Sequence, residues 1–301
     1  MICSSRMEMT IVNMTHLQVR RIWTDFDILI INEIRLLRGC MASVSIVAQA
    51  TKQPYGGYLK SSDFDIEQFD DGKQLNEKEN ISPQLMGIVV DYLTRFMMTG
   101  DAKIAFEISL KGAMLAASFS KDSSHLEKAV MNFSKIKGLD AESISNACQL
   151  AGYDTYFRDP LSALLYHVDP SAHIPDDATI ENISVMVNRC IAFLDVYGPV
   201  KETKITFETN GYTQTVDKGD ADILTELGLW DIKTSKHQPQ SRDRLQLLMY
   251  WIMGKHSRKK KFRSIKVIGM FNPRLNTAYV LPVDRISRAI IKEVEQKVMG
   301  Y

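Results

Sequence analysis

The sequence predicts an α/β protein, because segments of helical periodicity alternate with short β-prone runs along its second half. Apolar residues recur every three to four positions over residues 179–197 and again in the segment after Ser241. Short β-prone runs lie between and after these segments, at residues 204–208, 221–225, 229–233, 265–271 and 277–282. With 301 residues, the chain makes one large domain or two modest ones and is long enough to bury a full core.

Composition and charge are those of an ordinary soluble globular protein. The 37 basic and 36 acidic residues give a formal net charge of +1, so global charge neither favours nor excludes nucleic acid as a partner. No apolar run approaches the roughly 18 residues of a membrane helix, and no signal-peptide layout opens the chain. Four cysteines lie far apart without a C-x-x-C pair, which indicates reduced thiols in the cytoplasm: Cys3, Cys40, Cys148 and Cys190.

The first 40 residues fit poorly with the rest of the chain. The segment at Met41 looks like a natural start, and Arg38-Gly39 just upstream could be encoded by a purine-rich ribosome-binding sequence. We therefore expect residues 1–40 to be a non-native N-terminal extension and residues 41–301 to form the domain. An amphipathic helix around residues 28–37 is the alternative interpretation.

A polar segment and an apolar helix open the domain. Residues 51–80 are rich in turn formers and predict a loop with short extended pieces. Ser82-Pro83 then begins a helix, with the serine as N-cap and the proline at the first helical position. Gly87, Asp91 and Arg95 form a stripe at four-residue spacing beside the apolar stripe of that helix. An acidic residue in the middle of so apolar a helix requires an explanation.

Further helices and strands come after this helix. Residues 102–175 are predicted to be mostly helical, with helices at 105–119, 125–136 and 141–151, the last capped by Asp140. After the helix at 179–197, Asn210-Gly211 predicts a hairpin turn. Ser241 is expected to cap the next helix, and Asp284 a closing helix that runs to residue 298.

The candidate site lies on the hairpin formed by residues 221–225 and 229–233. Because side chains alternate along a strand, Asp231 and Lys233 point to one face and Ile232 to the other. Asp222, on the neighbouring strand, can come alongside that pair. Two carboxylates and an amine at one end of a hairpin are typical of a divalent-metal site that acts on phosphodiesters. A surface salt bridge across the hairpin is the alternative interpretation, and it would contribute little stability.

The order of helix, three strands, helix and strand, with a G-x-x-D…D-x-K signature, resembles the PD-(D/E)xK nuclease superfamily and its RecB-like branch most closely. The matching motifs are Gly219-x-x-Asp222, Asp231-x-Lys233 and Gln246-x-x-x-Tyr250. Gly87-x-x-x-Asp91 fits the upstream helix of that branch, with Asp91 in place of the more usual histidine. The resemblance implies a restriction-endonuclease-like αβββαβ core with residues 102–175 as a helical insertion. The chain is also similar to uncharacterised proteins of Gram-positive bacteria and their mobile elements.

The resemblance implies a site that binds Mg²⁺ or Mn²⁺. The metal ligands would be Asp222 and Asp231, completed by the carbonyl of Ile232 and by Asp91, because Mg²⁺ prefers hard oxygen ligands and keeps several waters. Lys233 would orient the attacking water or neutralise charge on the phosphate. Asp220 competes with Asp222, since it lies two residues away on the same face.

Two further sets of residues are candidates for contact with substrate. Arg242, Gln246 and Tyr250 share one stripe of the helix after the hairpin, so the glutamine and tyrosine are expected to hold Lys233 or touch the substrate backbone. An amphipathic rim of the core is the alternative for this stripe. A dense basic cluster lies next in the chain, which predicts sequence-independent phosphate binding or a solvated loop: Lys255, Arg258, Lys259, Lys260, Lys261 and Arg263.

These observations predict a cytoplasmic, metal-dependent deoxyribonuclease. Exonuclease or endonuclease action, strand preference, and DNA against RNA stay open. The chain carries no helicase motif, so an unwinding partner would be a separate helicase or another phage or mobile-element protein. Two alternatives belong to other classes: a catalytically silent domain of the same fold that binds DNA or a protein, and a metal-free structural or regulatory protein of a mobile element.

Overall fold

A mixed sheet, seven-stranded over the residues that the structure describes, runs through the protein with helices on both faces. The computed structural model describes residues 41–165, 169–208, 213–257 and 259–301. The strands are β1 (Ala42–Ser43), β2 (Asp65–Gln68), β3 (Val200–Glu208), β4 (Val216–Thr225), β5 (Gly228–Ile232), β6 (Val267–Asn272) and β7 (Thr277–Pro282). The α/β class predicted from the sequence is confirmed.

Most of the predicted helices are present, and residues 102–165 are mainly helical as expected. The helices are α1 (Val44–Ala50), α2 (Pro83–Thr99), α3 (Ala102–Ala105), α4 (Glu107–Ser120), α5 (Ser124–Lys135), α6 (Ala141–Ala151), α7 (Asp154–Arg158), α8 (Pro160–Leu165), α9 (Asp177–Tyr197), α10 (Ser241–His256) and α11 (Arg288–Glu293). A π-helical turn, Val294–Met299, continues α11. Short 3₁₀ turns lie at Ser61–Asp63, Pro170–Ala172, Lys260–Phe262 and Val283–Arg285.

The strand order across the sheet is β1-β4-β5-β6-β7-β2, with β3 also paired to β4. The pairs β3–β4, β4–β5, β6–β7 and β2–β7 are antiparallel, whereas β1–β4 and β5–β6 are parallel. Helix α10 connects β5 to β6, as a parallel pair requires. The centre of the sheet therefore consists of β4, β5 and β6, and β4 and β5 carry predicted site residues.

A gap opens the sheet along β4. Strand β4 pairs with β3 along one side, over residues 218–225. Its other side pairs with β1 at residues 216–218 and with β5 at residues 223–224. Among the described strands, residues 219–222 therefore have no partner on that second side. The sheet splays there, and the space that results is open to side chains from several elements.

Two hydrophobic cores lie on the two faces of the sheet. One packs α2, α4, α6 and α9 against Trp230 and Phe271, and the other packs α1, α10 and the C-terminal helix against Leu229 and Met270. Successive residues of β5 thus enter opposite cores, which is the alternation expected of a central strand. The indole of Trp230 lies over Gly269, where an added Cβ would be 2.1 Å from a ring carbon.

Capping residues define several helix ends as the sequence predicts. The hydroxyl of Ser82 accepts the N–H of Leu85 at 3.2 Å, with Pro83 at the first helical position. Asp140 accepts the N–H of Ser143 at 2.9 Å, and α6 has the predicted bounds. These caps satisfy backbone N–H groups that the helix itself leaves without partners.

Three helix predictions were wrong at their ends. The helix predicted at 105–119 is interrupted at Phe106, which separates α3 from α4. Gln240, rather than Ser241, is the N-cap of α10, and its N–H donates to the carboxylate of Asp243 at 2.7 Å. At the closing helix Ser287 is the cap, because Asp284 lies in the preceding 3₁₀ turn.

Buried arginines fix the polar segment at residues 51–80 to the core. Arg189 of α9 donates to both oxygens of Asp71, at 2.7 and 2.8 Å, and lowers the pKa of that carboxyl to about 2. Arg244 of α10 donates to the carbonyls of Leu59 and Gly56, at 2.8 and 3.1 Å. The segment that composition describes only as a loop is therefore held in place by specific contacts.

Two sequence predictions fall on residues outside those described. These are the N-terminal extension at residues 1–40, with its proposed boundary at Met41, and the Asn210-Gly211 turn. None of the described helices is long and apolar enough to cross a membrane.

Candidate active site

A cleft of about 690 Å³ opens at the gap in the sheet. Its walls come from α2, from β4 and β5, from α10 and from the loop after β5. The cleft contains most of the predicted catalytic and metal-binding side chains. Its lining comprises Glu79, Pro83, Gln84, Gly87, Ile88, Asp91, Asp220, Asp222, Asp231, Ile232, Lys233, Thr234, Ser235, Lys236, His237, Gln246 and Arg274.

Asp222 lies in the unpaired stretch of β4 and reaches across the gap. Its Oδ2 accepts the backbone N–H of Ile232 at 2.7 Å, two residues beyond Trp230, the last residue of β5 that pairs with β4. Burial raises the pKa of Asp222 to about 6, and the nearby charge of Asp91 acts in the same direction, whereas Lys233 and the Ile232 N–H oppose the rise. The carboxylate is therefore held in one position at the junction of β4 and β5.

Asp231, near the end of β5, and Lys233, the first residue after it, lie together, as their alternating positions predict. The Lys233 ammonium is 2.7 Å from Oδ2 of Asp231, whose side chain is 4% exposed. The contact is an ion pair without hydrogen-bond geometry, and this buried oxygen accepts no hydrogen bond in the described structure. Burial raises the pKa of Asp231 to about 7, although the charge on Lys233 lowers it. Lys233 already supplies a cation to this oxygen, so a metal bound here would share it with the ammonium or displace the ammonium.

Gln246 and Tyr250 form a chain of contacts behind Lys233. The Lys233 ammonium donates to the side-chain oxygen of Gln246 at 3.4 Å, and the amide of Gln246 donates to the Tyr250 hydroxyl at 2.7 Å. Tyr250 is buried, which raises its pKa well above the ordinary value. Arg242, on the predicted stripe with these residues, is exposed and lines a different hollow beside residues 53–57.

Asp91 lines the cleft from α2, but its charge is already matched. Arg95, one turn further along the helix, binds both carboxylate oxygens; the Nε–Oδ1 distance is 3.0 Å. The two side chains are only 9% and 21% exposed, for Arg95 and Asp91 respectively. Asp91 would have to leave this pair before it could bind a metal. Asp220, the competing candidate, also lines the cleft.

The donor set fits a hydrated Mg²⁺ or Mn²⁺. No group of three or more His, Cys, Asp or Glu side chains in the described residues is arranged to hold a metal. Asp222 and Asp231 nevertheless offer two carboxylates, and Lys233 is the charged partner of Oδ2 of Asp231. The N–H of Ile232 faces Asp222, and in extended backbone the carbonyl of the same residue faces the same way. Mg²⁺ commonly binds to one or two carboxylates and keeps its remaining waters.

Sequence reasoning missed several residues of the cleft. Arg274 forms a bidentate pair with Glu79, at 2.8 and 3.0 Å, and donates to the carbonyl of Thr234 at 2.8 Å. Lys236 and His237 line the cleft from the loop after β5. No periodicity marks these positions, and only the proximity of Lys236 and His237 to the D-x-K motif could have drawn attention to them.

The predicted basic cluster lies at the other end of the sheet. It leads into β6, whose first residue pairs with Gly228, whereas Asp231 lies near the opposite end of β5. Lys261 forms an ion pair with Glu202, and Lys255 lies over the ring of Trp251. Lys259, Lys260 and Arg263 are exposed. Arg258 is not among the described residues. DNA binding by this cluster stays a prediction.

No protein-family model matches the chain, and no curated protein matches it. The fold and the cleft define the chain at the level of its chemistry: an α/β protein with one buried carboxylate, one half-buried carboxylate and a lysine at a gap in its central sheet.

Proposed function

We propose that this protein is a PD-(D/E)xK nuclease that hydrolyses DNA with Mg²⁺ or Mn²⁺. The observation that carries the proposal is the convergence of Asp222, Asp231 and Lys233 in one cleft. A salt bridge on a hairpin surface would not require a buried carboxylate with a pKa near 7. Perturbed carboxylates in a cleft are typical of functional sites.

The order of elements around the cleft supports the same class. Helix α2 is followed, after the helical segment, by the antiparallel strands β3, β4 and β5, then by α10 and by β6 parallel to β5. This is the αβββαβ order implied by the resemblance. Segment 102–175 lies between α2 and β3 in sequence, which is where a helical insertion is expected.

The chain's own residues would have distinct roles in this reaction. Asp222 and Asp231 would hold the metal, which when bound polarises the scissile phosphate and lowers the pKa of a water. The Lys233 ammonium can donate to the attacking water or to a phosphate oxygen, where charge develops in the transition state. Gln246 fixes the ammonium by accepting one hydrogen bond from it. The Ile232 N–H keeps the carboxylate of Asp222 turned into the gap.

A catalytically silent domain of the same fold is the second candidate. The pairing of Asp91 with Arg95 favours it, because that pair leaves two available carboxylates where the resemblance implies three acidic or histidine ligands. Such a domain would bind DNA or a protein of a mobile element without cleaving it. In either case we propose a cytoplasmic protein. The nuclease would have DNA as partner and a separate helicase or phage protein as a further one.

The test is cleavage by the purified full chain and by Lys233→Ala. Linear, circular and single-stranded DNA are incubated with Mg²⁺ or Mn²⁺, with RNA alongside. We expect wild type to cleave and Lys233→Ala to lose about a hundred- to a thousand-fold in rate, as for loss of one preorganised electrostatic group. Asp222→Ala and Asp231→Ala should lose at least as much. Equal rates for wild type and Lys233→Ala, or no cleavage of any substrate, would favour the silent domain.

A further inference from the structure

The loop directly after β5 forms one rim of the cleft. Its residues Thr234 to His237 all line the cleft, and Lys236 and His237 are exposed. They come soon after Lys233 in the chain. The loop thus adds two basic side chains beside a site whose other side is acidic.

Buried side chains hold this loop in one position. Asn272, at the end of β6 and fully buried, donates to the carbonyl of Ser235 at 2.8 Å. Arg274 donates to the carbonyl of Thr234, and the pair it forms with Glu79 is itself largely buried. The backbone carrying Lys236 and His237 is therefore preorganised, which lowers the entropy lost when a ligand binds.

Within the part of the chain that the structure describes, Lys236 has no acidic partner, unlike Lys233, Arg274 and Arg95. Lys233 pairs with Asp231, Arg274 with Glu79, and Arg95 with Asp91. Within the described ranges Lys236 makes no ion pair, and its ammonium donates only to the exposed carbonyl of Glu77, at 3.2 Å. An exposed contact of this kind exchanges easily with an anionic ligand.

The wall beside this loop also favours negative charge. Pro83 and Gln84, in the first turn of α2, line the same cleft, and α2 has 17 residues. The positive end of a helix dipole stabilises anions near the first turn. Gly87 lies on this wall too, where an added Cβ would be 3.2 Å from the hydroxyl of Thr234. The helix and the loop are therefore in close contact.

We propose that Lys236 and His237 bind a backbone phosphate of the nucleic acid, next to the one positioned at Asp222 and Asp231. This inference rests on the proposed function. Three residues of chain span at most about 11 Å, which limits the distance from Lys233 to Lys236. Phosphates of one strand succeed each other about every 3.4 Å along a DNA duplex, so a neighbouring phosphate is within reach. The contact reads no sequence and fixes the register of the strand in the cleft.

The inference separates this rim from the basic cluster around Lys259, Lys260 and Lys261. That cluster lies at the start of β6, at the far end of β5 from the cleft. Five strand residues extend about 17 Å, so a phosphate at the cleft and one at the cluster are different phosphates. The two groups of basic residues can therefore be tested against each other.

The experiment measures binding without cleavage. Fluorescence anisotropy of a labelled DNA duplex of about 30 base pairs, long enough to reach both basic groups, is recorded with the full chain in EDTA over a series of KCl concentrations. We expect the double variant Lys236→Ala/His237→Ala to bind about tenfold more weakly. The slope of log affinity against log salt should fall by about one, as for one lost phosphate contact. Lys236→Arg keeps the charge and should bind within about twofold of wild type.

The triple variant Lys259→Ala/Lys260→Ala/Lys261→Ala is the comparison. The proposal is supported if the double variant loses affinity and salt slope as stated, whether or not the triple variant also binds more weakly. A double variant that binds within about twofold of wild type overturns it, as does a wild type that binds no DNA. All replaced side chains are exposed or half-exposed, and equal melting temperatures confirm that each variant is folded.

Cleavage of the same DNA with Mn²⁺ is measured in parallel. Cleavage by wild type together with unchanged binding by the double variant overturns this inference alone. Absence of cleavage together with weakened binding by the double variant overturns the nuclease and supports the phosphate contact.

Discussion

Arg95 binds both carboxylate oxygens of Asp91, the residue one turn before it on α2. The pair lies against the cleft, and the charge of Asp91 contributes to the raised pKa of Asp222. A positive side chain is thus built in beside the two carboxylates that fit a metal. Because Arg95 occupies both of its oxygens, Asp91, the acidic residue of the upstream motif, is not free to bind that metal.

Asp91→Asn should therefore leave metal binding almost unchanged. We expect the Mn²⁺ affinity of this variant, measured by isothermal titration calorimetry, to fall by less than about tenfold, the lower limit for loss of a partner that orients a ligand. Asp231→Asn removes a carboxylate whose oxygen lacks a hydrogen bond, and it should weaken Mn²⁺ binding by about ten- to a hundred-fold or more. Equal losses in the two variants would show that Asp91 leaves Arg95 to bind the metal.

Arg95→Gln should destabilise the fold, because it leaves the carboxylate of Asp91 largely buried and without its cation. Breaking a buried pair by removing one partner costs about 3 kcal/mol or more in free energy of unfolding. Lys111→Gln is the matched control, since Lys111 forms an exposed pair with Glu107 at the same helical spacing. That change should cost less than about 0.5 kcal/mol. The free energy of unfolding of both variants is measured by urea denaturation. A similar loss of stability in the two variants would contradict the argument that burial makes the Asp91–Arg95 pair important.

Metal affinity should rise with pH. The pKa values of Asp222 and Asp231 are raised to about 6 and about 7, so both groups largely hold protons at about pH 5.5 and largely lose them by about pH 7.5. Protons compete with the metal for these oxygens, and binding releases them. We expect Mn²⁺ affinity to increase at least about tenfold over this interval and to level off above it. Calorimetry in buffers of different ionisation enthalpy measures the released protons, and a pH-independent affinity would argue against these two ligands.

Gln246→Ala should lower turnover with little effect on substrate affinity. The side chain lines the cleft and accepts a hydrogen bond from Lys233, so its loss frees the ammonium to adopt other positions. We expect kcat to fall about tenfold and KM to change less than about twofold, with Gln246→Asn intermediate. Arg242→Ala, on the same helix but lining another hollow, is the control and should leave both constants unchanged. A change confined to KM would assign Gln246 to substrate binding.

The sequence predicted the elements with strong periodicity and missed those without it. Helix α6 and strand β7 have the predicted bounds, because a cap residue begins the helix and a short β-prone run that ends at Pro282 marks the strand. Strand β2 was expected only as an unspecified extended piece, since all four of its residues are exposed and no alternation marks it. Strand β1 has only two residues and depends wholly on its pairing with β4.

Within the site, residue types and spacing predicted the meeting of Asp231 and Lys233, but tertiary contacts determined the rest. Asp91 and Arg95 share a stripe in the sequence, yet their exclusive pairing depends on burial against the neighbouring helices. The reach of Asp222 to the Ile232 N–H requires the gap between β1 and β5, which no local pattern encodes.

The central position of β5 affects which parts of the protein unfold locally. This strand is hydrogen-bonded to β4 and β6, and its residues Leu229 and Trp230 are buried in opposite cores. Its backbone amides should exchange with deuterium only when the whole domain unfolds, whereas amides of the exposed strand β2 exchange through local fraying. The carboxylate of Asp231 is thus carried by one of the slowest-opening segments of the molecule. Local unfolding should therefore affect the outer loops at a much lower free energy than the centre of the cleft.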